Sequence, residues 1–414
     1  MKALKSKCRI LALLYCLLLT SCNGCGDGGG GSSMWAGGGI DGSGIISSGM
    51  VSAIGSIVVN GTRFDTSEAE IIVNGVQGVG DDFVLANLDI GRVVTVEGTI
   101  SQDGLDVTAD RVVYSDNVAG PVTFVGVPDP VDNDLEIEVM GQIVVVNFNT
   151  KFKPDTYDYY DIALNDMVNV SGYLDDTGAI RATFIENTGV FLSGIEVEVK
   201  GHVMNLQDSG PVKTFEINDL TVNYTSIAGD LPQGIPVEDQ FVEVEGTLAS
   251  LGGMMTATRI ELGDESDGED ADEFEIMGFV TEIISTVGII EFKVGNQEVH
   301  VDPATAVFVD GDVNDIDWGK KLEAEGRLEG GILYAEEIEF WEPDQIEVED
   351  FVTAVVSDTE FTLGLQDIET DNQTVFEGVQ PDEIQVGMLI EVKGVPDDVD
   401  HNLIFADKVS LEVD

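Results

Sequence analysis

The residues best placed to do chemistry lie in loops. Asp310–Asp317, DGDVNDID, sets Asp310, Asp312, Asn314 and Asp315 at alternate or adjacent positions. That spacing lets side-chain oxygens converge on one hard cation, and calcium is the cation such a loop would take. A plain acidic turn is the competing reading. Tyr157, Tyr159 and Tyr160 cluster in a second loop. Loop aromatics can stack on sugar rings, and they also cap the ends of small barrels. The histidines His202, His300 and His401 fall in three different copies of the repeat described next. A histidine metal site or acid–base dyad would therefore need two copies to meet. No G-x-S-x-G elbow, P-loop or H-E-x-x-H is present. With 78 Asp and Glu in the chain, a glycosidase-like carboxylate pair carries no information. No catalytic residue and no resident cofactor are expected.

The elements that carry these loops recur. Val93–Val113, VVTVEGTISQDGLDVTADRVV, reads as a strand, a glycine, a polar turn and a second strand. Its Gly98 has counterparts in Gly172, Gly246, Gly326 and Gly394. Each glycine is followed by an alanine and, three residues on, by Val or Ile. These pairs are Ala109/Val112, Ala182/Ile185, Ala257/Ile260, Ala335/Ile338 and Ala406/Val409. Each is preceded by a lead-in: LDIG to Gly91, IALND to Asp166, IPVED to Asp239, IDWG to Gly319 and IQVG to Gly387. Period-two alternation such as Val94-x-Val96 predicts antiparallel strands with one apolar face. The glycine predicts a bulge or sharp bend, with the small alanine facing it. Further upstream, Asn60-Gly61, Met140-Gly141, Asn218-Asp219 and Gly295-Asn296 read as hairpin turns. The stretch 65–87 reads as loose, and no sustained helical period appears.

The repeat sets the domain organisation: a leader at 1–21, a Gly-rich tether at 22–44, then β repeats at 45–116, 119–188, 193–262, 274–342 and 345–414. An acidic linker, 263–273, precedes the fourth. The expectation is an all-β chain of five small OB-like barrels of about 70 residues, individually marginal in size. Small β-sandwiches are the alternative.

The net charge is −59. A surface of that sign repels nucleic acid and anionic head groups, and favours cations and basic partners. Residues 1–21 carry Lys2, Lys5, Lys7 and Arg9 ahead of an apolar core, Ile10–Leu19, too short for a comfortable membrane span. That core ends in Leu19-Thr20-Ser21-Cys22, which resembles the lipobox of bacterial lipoproteins. The resemblance implies cleavage before Cys22 and lipidation of Cys22. Asn23 in place of aspartate implies outer rather than inner membrane in enteric-type bacteria. Cys8 and Cys16 leave with the leader, so Cys25 is the one free thiol and no internal disulfide can form.

Lipobox, tether and repeat together resemble an uncharacterised tandem-repeat domain of bacterial exported lipoproteins. That resemblance brings no catalytic residues. The Asp310 loop resembles an EF-hand loop with two departures: Asp315 stands where glycine belongs, and Lys321 where the final glutamate belongs. Two function classes follow. One is a non-enzymatic envelope protein, held to the membrane through its lipid, in the periplasm or at the surface, acting as a spacer or scaffold for an envelope protein or glycan. The other is a surface module binding polysaccharide through Tyr157, Tyr159 and Tyr160, or a divalent cation through the Asp310 loop. Nucleic acid is excluded as a partner by charge.

Overall fold

The structure is a computed structural model that describes residues 43–411 apart from 55, 102–106, 131–132, 232–233, 264–270, 344, 365 and 398–402. The lipobox, the tether up to residue 42, His401 and most of the acidic linker lie outside the described residues, while Ser43 and Gly44, expected in the tether, open the first strand. The described chain is nearly all β.

Each repeat follows one circuit of strands. In the fourth, Ala271–Ser285 pairs with Ile290–Val294, which pairs with Gln297–Val301. That strand runs parallel to Ile332–Trp341, which pairs with Lys321–Glu329, which pairs back onto Ala271–Ser285. Repeats 2 and 5 trace the same circuit. In repeat 1 the parallel step is a single bridge, Asp65 to Thr108. In repeat 3 the first strand is split into Glu196–His202 and Met204–Gln207.

The recurrent residues explain the circuit. Along Val93–Ile100 and Phe241–Leu248 every second residue is buried, so one side of each hairpin is core. The register shifts between Glu97 and Gly98, and Gly98 then faces Ala109. The same bulge places Gly172, Gly246, Gly326 and Gly394 opposite Ala182, Ala257, Ala335 and Ala406. A Cβ on any of the five glycines would sit 2.2–2.5 Å from a backbone oxygen of the partner strand. Glycine is required here for close approach of two backbones. The lead-ins have a different role. Their residues Gly91, Asn165, Asp239, Gly319 and Gly387 all adopt positive φ, which Gly, Asn and Asp tolerate best. Each donates its N–H to a carbonyl on or, for Val203, at the break of the first strand: Val51, Val122, Val203, Val280 and Val352 respectively. The expected hairpin turns at Asn60-Gly61, Met140-Gly141, Asn218-Asp219 and Gly295-Asn296 join directly paired strands.

Three details differ from expectation. The stretch 65–87 holds a hairpin, Glu70–Val73 with Val76–Val79, turned by Asn74-Gly75. It also holds a helix, Asp81–Asn87, two turns long. Seven residues are too few for a helical period to register in sequence, although Asp81 and Asp82 suit a helix N-terminus. Finally, the first strand of repeat 4 opens at Ala271, so Asp272 and Glu273 belong to it and not to the linker.

The repeats join edge to edge, and not in chain order. Ile45–Ser48 of repeat 1 runs parallel to Glu273–Ile276 of repeat 4. Val118 and Ala119 of repeat 2 pair with Val199 and Glu198 of repeat 3. The chain therefore doubles back, with repeat 1 beside 4 and repeat 2 beside 3; repeat 5 has a separate six-stranded sheet. Repeats 2 and 3 share one apolar cluster, while 1, 4 and 5 each have their own.

Candidate functional site

The Asp310 loop folds onto itself. Val313–Asp315 is a 3-10 turn whose N-terminus Asp312 caps. Asp312 accepts from Asn314 N at 2.7 Å, and Asp315 accepts from Asp312 N at 2.7 Å. Asp310 turns toward the Lys393 ammonium, 3.5 Å away. These carboxylates are engaged in capping and pairing, the work expected of a plain acidic turn, and do not converge.

The tyrosine loop divides. Tyr157 and Tyr159 are buried, Tyr157 donating to Asp166 and Tyr159 to the Asn133 carbonyl. Phe148 packs 4.9 Å from Tyr159. Only Tyr160 presents its ring to solvent, 76 % exposed. Two of the three therefore cap the repeat 2 core. His202 and His300 lie on separate repeats, His300 Nε2 contacting Glu298 at 2.7 Å.

A different carboxylate group does converge. Glu198, Glu243 and Glu245 on repeat 3 bring one oxygen each within 4.8 Å of the others, the one such group of three among the described residues. The register explains it: Glu198 faces Glu245 across the ladder, and Lys200 faces Glu243. On its other side Glu198 pairs with Ala119, where repeats 2 and 3 abut. That contact removes water, and Oε1 of Glu198 is buried without a partner. Burial first, then the nearby Glu243, push its carboxyl up to about 8. Lys200 lies 3.3 Å from Glu243, and Arg259 lies 2.7 Å from Glu245. The group thus holds a proton on Glu198 at neutral pH and balances its other two charges internally. In sequence these residues are ordinary alternating outward positions of two strands, about 45 residues apart; no signal distinguished them.

Several other buried charges lie where repeats meet. Arg92 is sandwiched between the rings of Tyr114 and Phe184, at 4.6 and 4.4 Å, and binds Glu186 of repeat 2 at 2.7 Å. Arg63 of repeat 1 bonds Glu349 of repeat 5 at 3.0 Å. Lys393 of repeat 5 bonds Glu339 of repeat 4 at 2.9 Å and covers the Trp341 ring. Burial, with Glu339 and Glu275 nearby, holds the Glu323 carboxyl well above its usual range.

Fold and site together define a tandem-repeat β protein whose recurrent residues are structural and whose charged residues vary from copy to copy. Its segments 43–113, 120–186, 200–261, 277–339 and 351–410 match the family described as Domain of unknown function (DUF5666), and the chain belongs to that family in five copies. No curated protein matches it. Among solved structures, one described as drosophila Unr CSD456 is similar at 15% identity, covering 52% of this chain and 96% of that one, with a TM-score of 0.13.

Proposed function

We propose that this chain is a non-enzymatic, lipid-anchored protein of the bacterial cell envelope, whose five repeats are OB-like barrels joined into one interaction scaffold. The barrel reading is supported by the circuit itself: five strands whose pairing returns to the first, with one parallel step. Two sandwiched sheets would not close in this way. The observation that carries the scaffold reading is the edge-to-edge pairing of repeat 1 with 4 and of 2 with 3. Residues common to all copies are consumed in bulges and turns, leaving the varied surfaces of the assembled body as what partners meet. An extended spacer is poorly served by a chain that doubles back. The anchor rests on Leu19–Cys22.

The test has two arms. In solution scattering, a compact body of about 370 residues has a radius of gyration near 21 Å; a beads-on-a-string spacer would be far larger, and that result would sink the scaffold reading. In cells, Cys22→Ala should move the chain from the membrane fraction to the soluble exported fraction. An unchanged membrane fraction would remove the lipid anchor from the proposal.

A further inference from the structure

Repeat 3 is one strand short. In the other four repeats a short strand runs parallel to the far half of the last strand. These pairs are Glu70–Val73 beside Arg111–Tyr114, Lys151–Lys153 beside Phe184–Glu186, Val307–Val309 beside Glu337–Glu339 and Val375–Glu377 beside Lys408–Ser410. Aligned on the recurrent alanines, the counterpart in repeat 3 is Arg259–Glu261, which begins two residues past Ala257. Among the described residues no strand pairs with Arg259–Glu261 on that edge, and those between Tyr224 and Gln240 hold no strand. Gly263 donates to the Phe241 carbonyl across the hairpin. By the alternation of an antiparallel ladder, the backbone groups of Glu261 and Arg259 turn the same way, and those of Ile260 and Leu262 turn to the open edge. A groove borders this edge, where Ile227, Leu231 and Ile235, all half-buried, join Ile260 and Leu262. Leu262 is 59 % exposed. An open edge with apolar flanks is the surface on which an extended segment adds as a strand.

The four filled repeats define what fits. The central residue of the short strand pairs with the Val or Ile of the recurrent motif: Ile71 with Val112, Phe152 with Ile185, Phe308 with Ile338 and Phe376 with Val409. Each of these side chains packs on the core of its repeat. Ile260 holds that register in repeat 3. One residue on, Glu186 faces Lys153, 3.9 Å away, and Glu339 receives Lys393 from repeat 5 at 2.9 Å. Their counterpart Glu261 has Arg259 at 3.5 Å, shared with Glu243 and Glu245, and Asp230 lines the same groove. A second copy would bring another net charge of −59, and residues 22–42 hold Asp27 and Asp41 with no base, so charge favours a basic segment from another protein. We propose that repeat 3 takes an extended peptide segment of a partner protein as its missing strand, parallel to Arg259–Glu261, with Phe or another large apolar side chain opposite Ile260 and Lys or Arg opposite Glu261. Backbone pairing supplies the attachment, and these two positions supply the selectivity. The inference gives the scaffold reading a class of partner and rests on that reading only for why a partner is met; it does not need the lipid anchor.

The probe is a labelled peptide with the sequence of residues 149–154, Asn-Thr-Lys-Phe-Lys-Pro, titrated into the chain from residue 23 onward while fluorescence anisotropy is followed. The expected result is saturable binding that weakens about tenfold or more when the Phe of the peptide becomes Ser or its second Lys becomes Glu. Leu262→Pro, which removes an N–H from the open edge, and Glu261→Lys should each weaken binding of the original peptide as much. If Leu262→Pro fails to fold, Glu261→Lys carries the test, because that side chain is 55 % exposed. Equal binding of the Phe and Ser peptides would mean general attraction to an acidic surface, and no saturation by about 1 mM would mean no site; either overturns the proposal. Binding seen only after residues 23–42 are deleted would give the groove to the chain's own segment. Self-association abolished by Leu262→Pro would give it to a second copy, and both results also overturn the proposal. A compact scattering curve without peptide binding would sink this inference and leave the scaffold reading, and peptide binding by an extended chain would do the reverse.

Discussion

Gly172→Ala is the sharpest perturbation of the repeat. The added methyl would lie 2.2 Å from the Arg181 carbonyl oxygen, 2.8 Å from its carbon and 2.9 Å from Ala182 Cα. All three are backbone atoms of the paired strand, so no rotamer change relieves the clash. Ordinary contact begins near 3.4 Å, and the strands must part by about an ångström. Overpacking of a closed core costs about 1–3 kcal/mol; with backbone on both sides and ladder hydrogen bonds stretched, the cost should reach about 3 kcal/mol. A 70-residue unit is stable by roughly 3.5–10 kcal/mol, so repeat 2 would lose a third of its stability or more. Urea unfolding followed by circular dichroism measures this directly. Gly229→Ala is the control: nothing lies within 4 Å of its added Cβ and its φ is not positive, so it should be neutral or stabilising by about 0.4–1 kcal/mol. Gly98→Ala, with a 2.5 Å approach, should be the mildest of the five bulge variants. A Gly172→Ala midpoint equal to that of the parent would refute the close-approach account.

Glu198, raised to about 8, binds its proton more tightly folded than unfolded. Its stabilising contribution is full below the usual carboxylate value and is lost as pH rises through 8, with a slope of at most about 1.4 kcal/mol per unit. Glu198→Gln should flatten stability between pH 5 and 9, and parallel curves for the two proteins would contradict this. Arg92→Met would strand the almost fully buried Asp116 beside Glu186 at a cost of about 3–5 kcal/mol; adding Asp116→Asn should recover part of it in the same melt. A fragment of residues 43–263 leaves the Ile45–Ser48 edge without its repeat 4 partner and should self-associate in light scattering, whereas 43–343, lacking only repeat 5, should remain monomeric.

What the sequence made legible was local. Gly98 and Ala109, or Gly91 and its counterparts, declare their roles because backbone approach and positive φ each admit few residue types. Asn74-Gly75 carries the same hairpin signal as Asn60-Gly61, with Ile71, Ile72 and Val73 before it and Val76 after it. The junctions were not legible. Pairing of Ile45–Ser48 with repeat 4 uses backbone groups that every strand possesses, and nothing in the side chains singles out that edge. Glu198, Glu243 and Glu245 became a group only once the ladder set Glu198 between Glu245 and Ala119. In the Asp310 loop the oxygens of Asp312 and Asp315 that could face a cation are used in short-range capping, which composition and spacing do not reveal.

The pairing of repeat 1 with repeat 4 also sets a clock. Ile45 and Glu273 are partners, yet roughly 230 residues separate them along the chain. At a synthesis rate of about 5–20 residues per second, the first repeat waits on the order of 10–45 s for the strand that covers its edge. Repeats 2 and 3, neighbours in both chain and space, can join during that interval. Assembly is therefore nested: the inner pair closes first, and the outer pair closes around it, with the earliest-made edge the last to be protected.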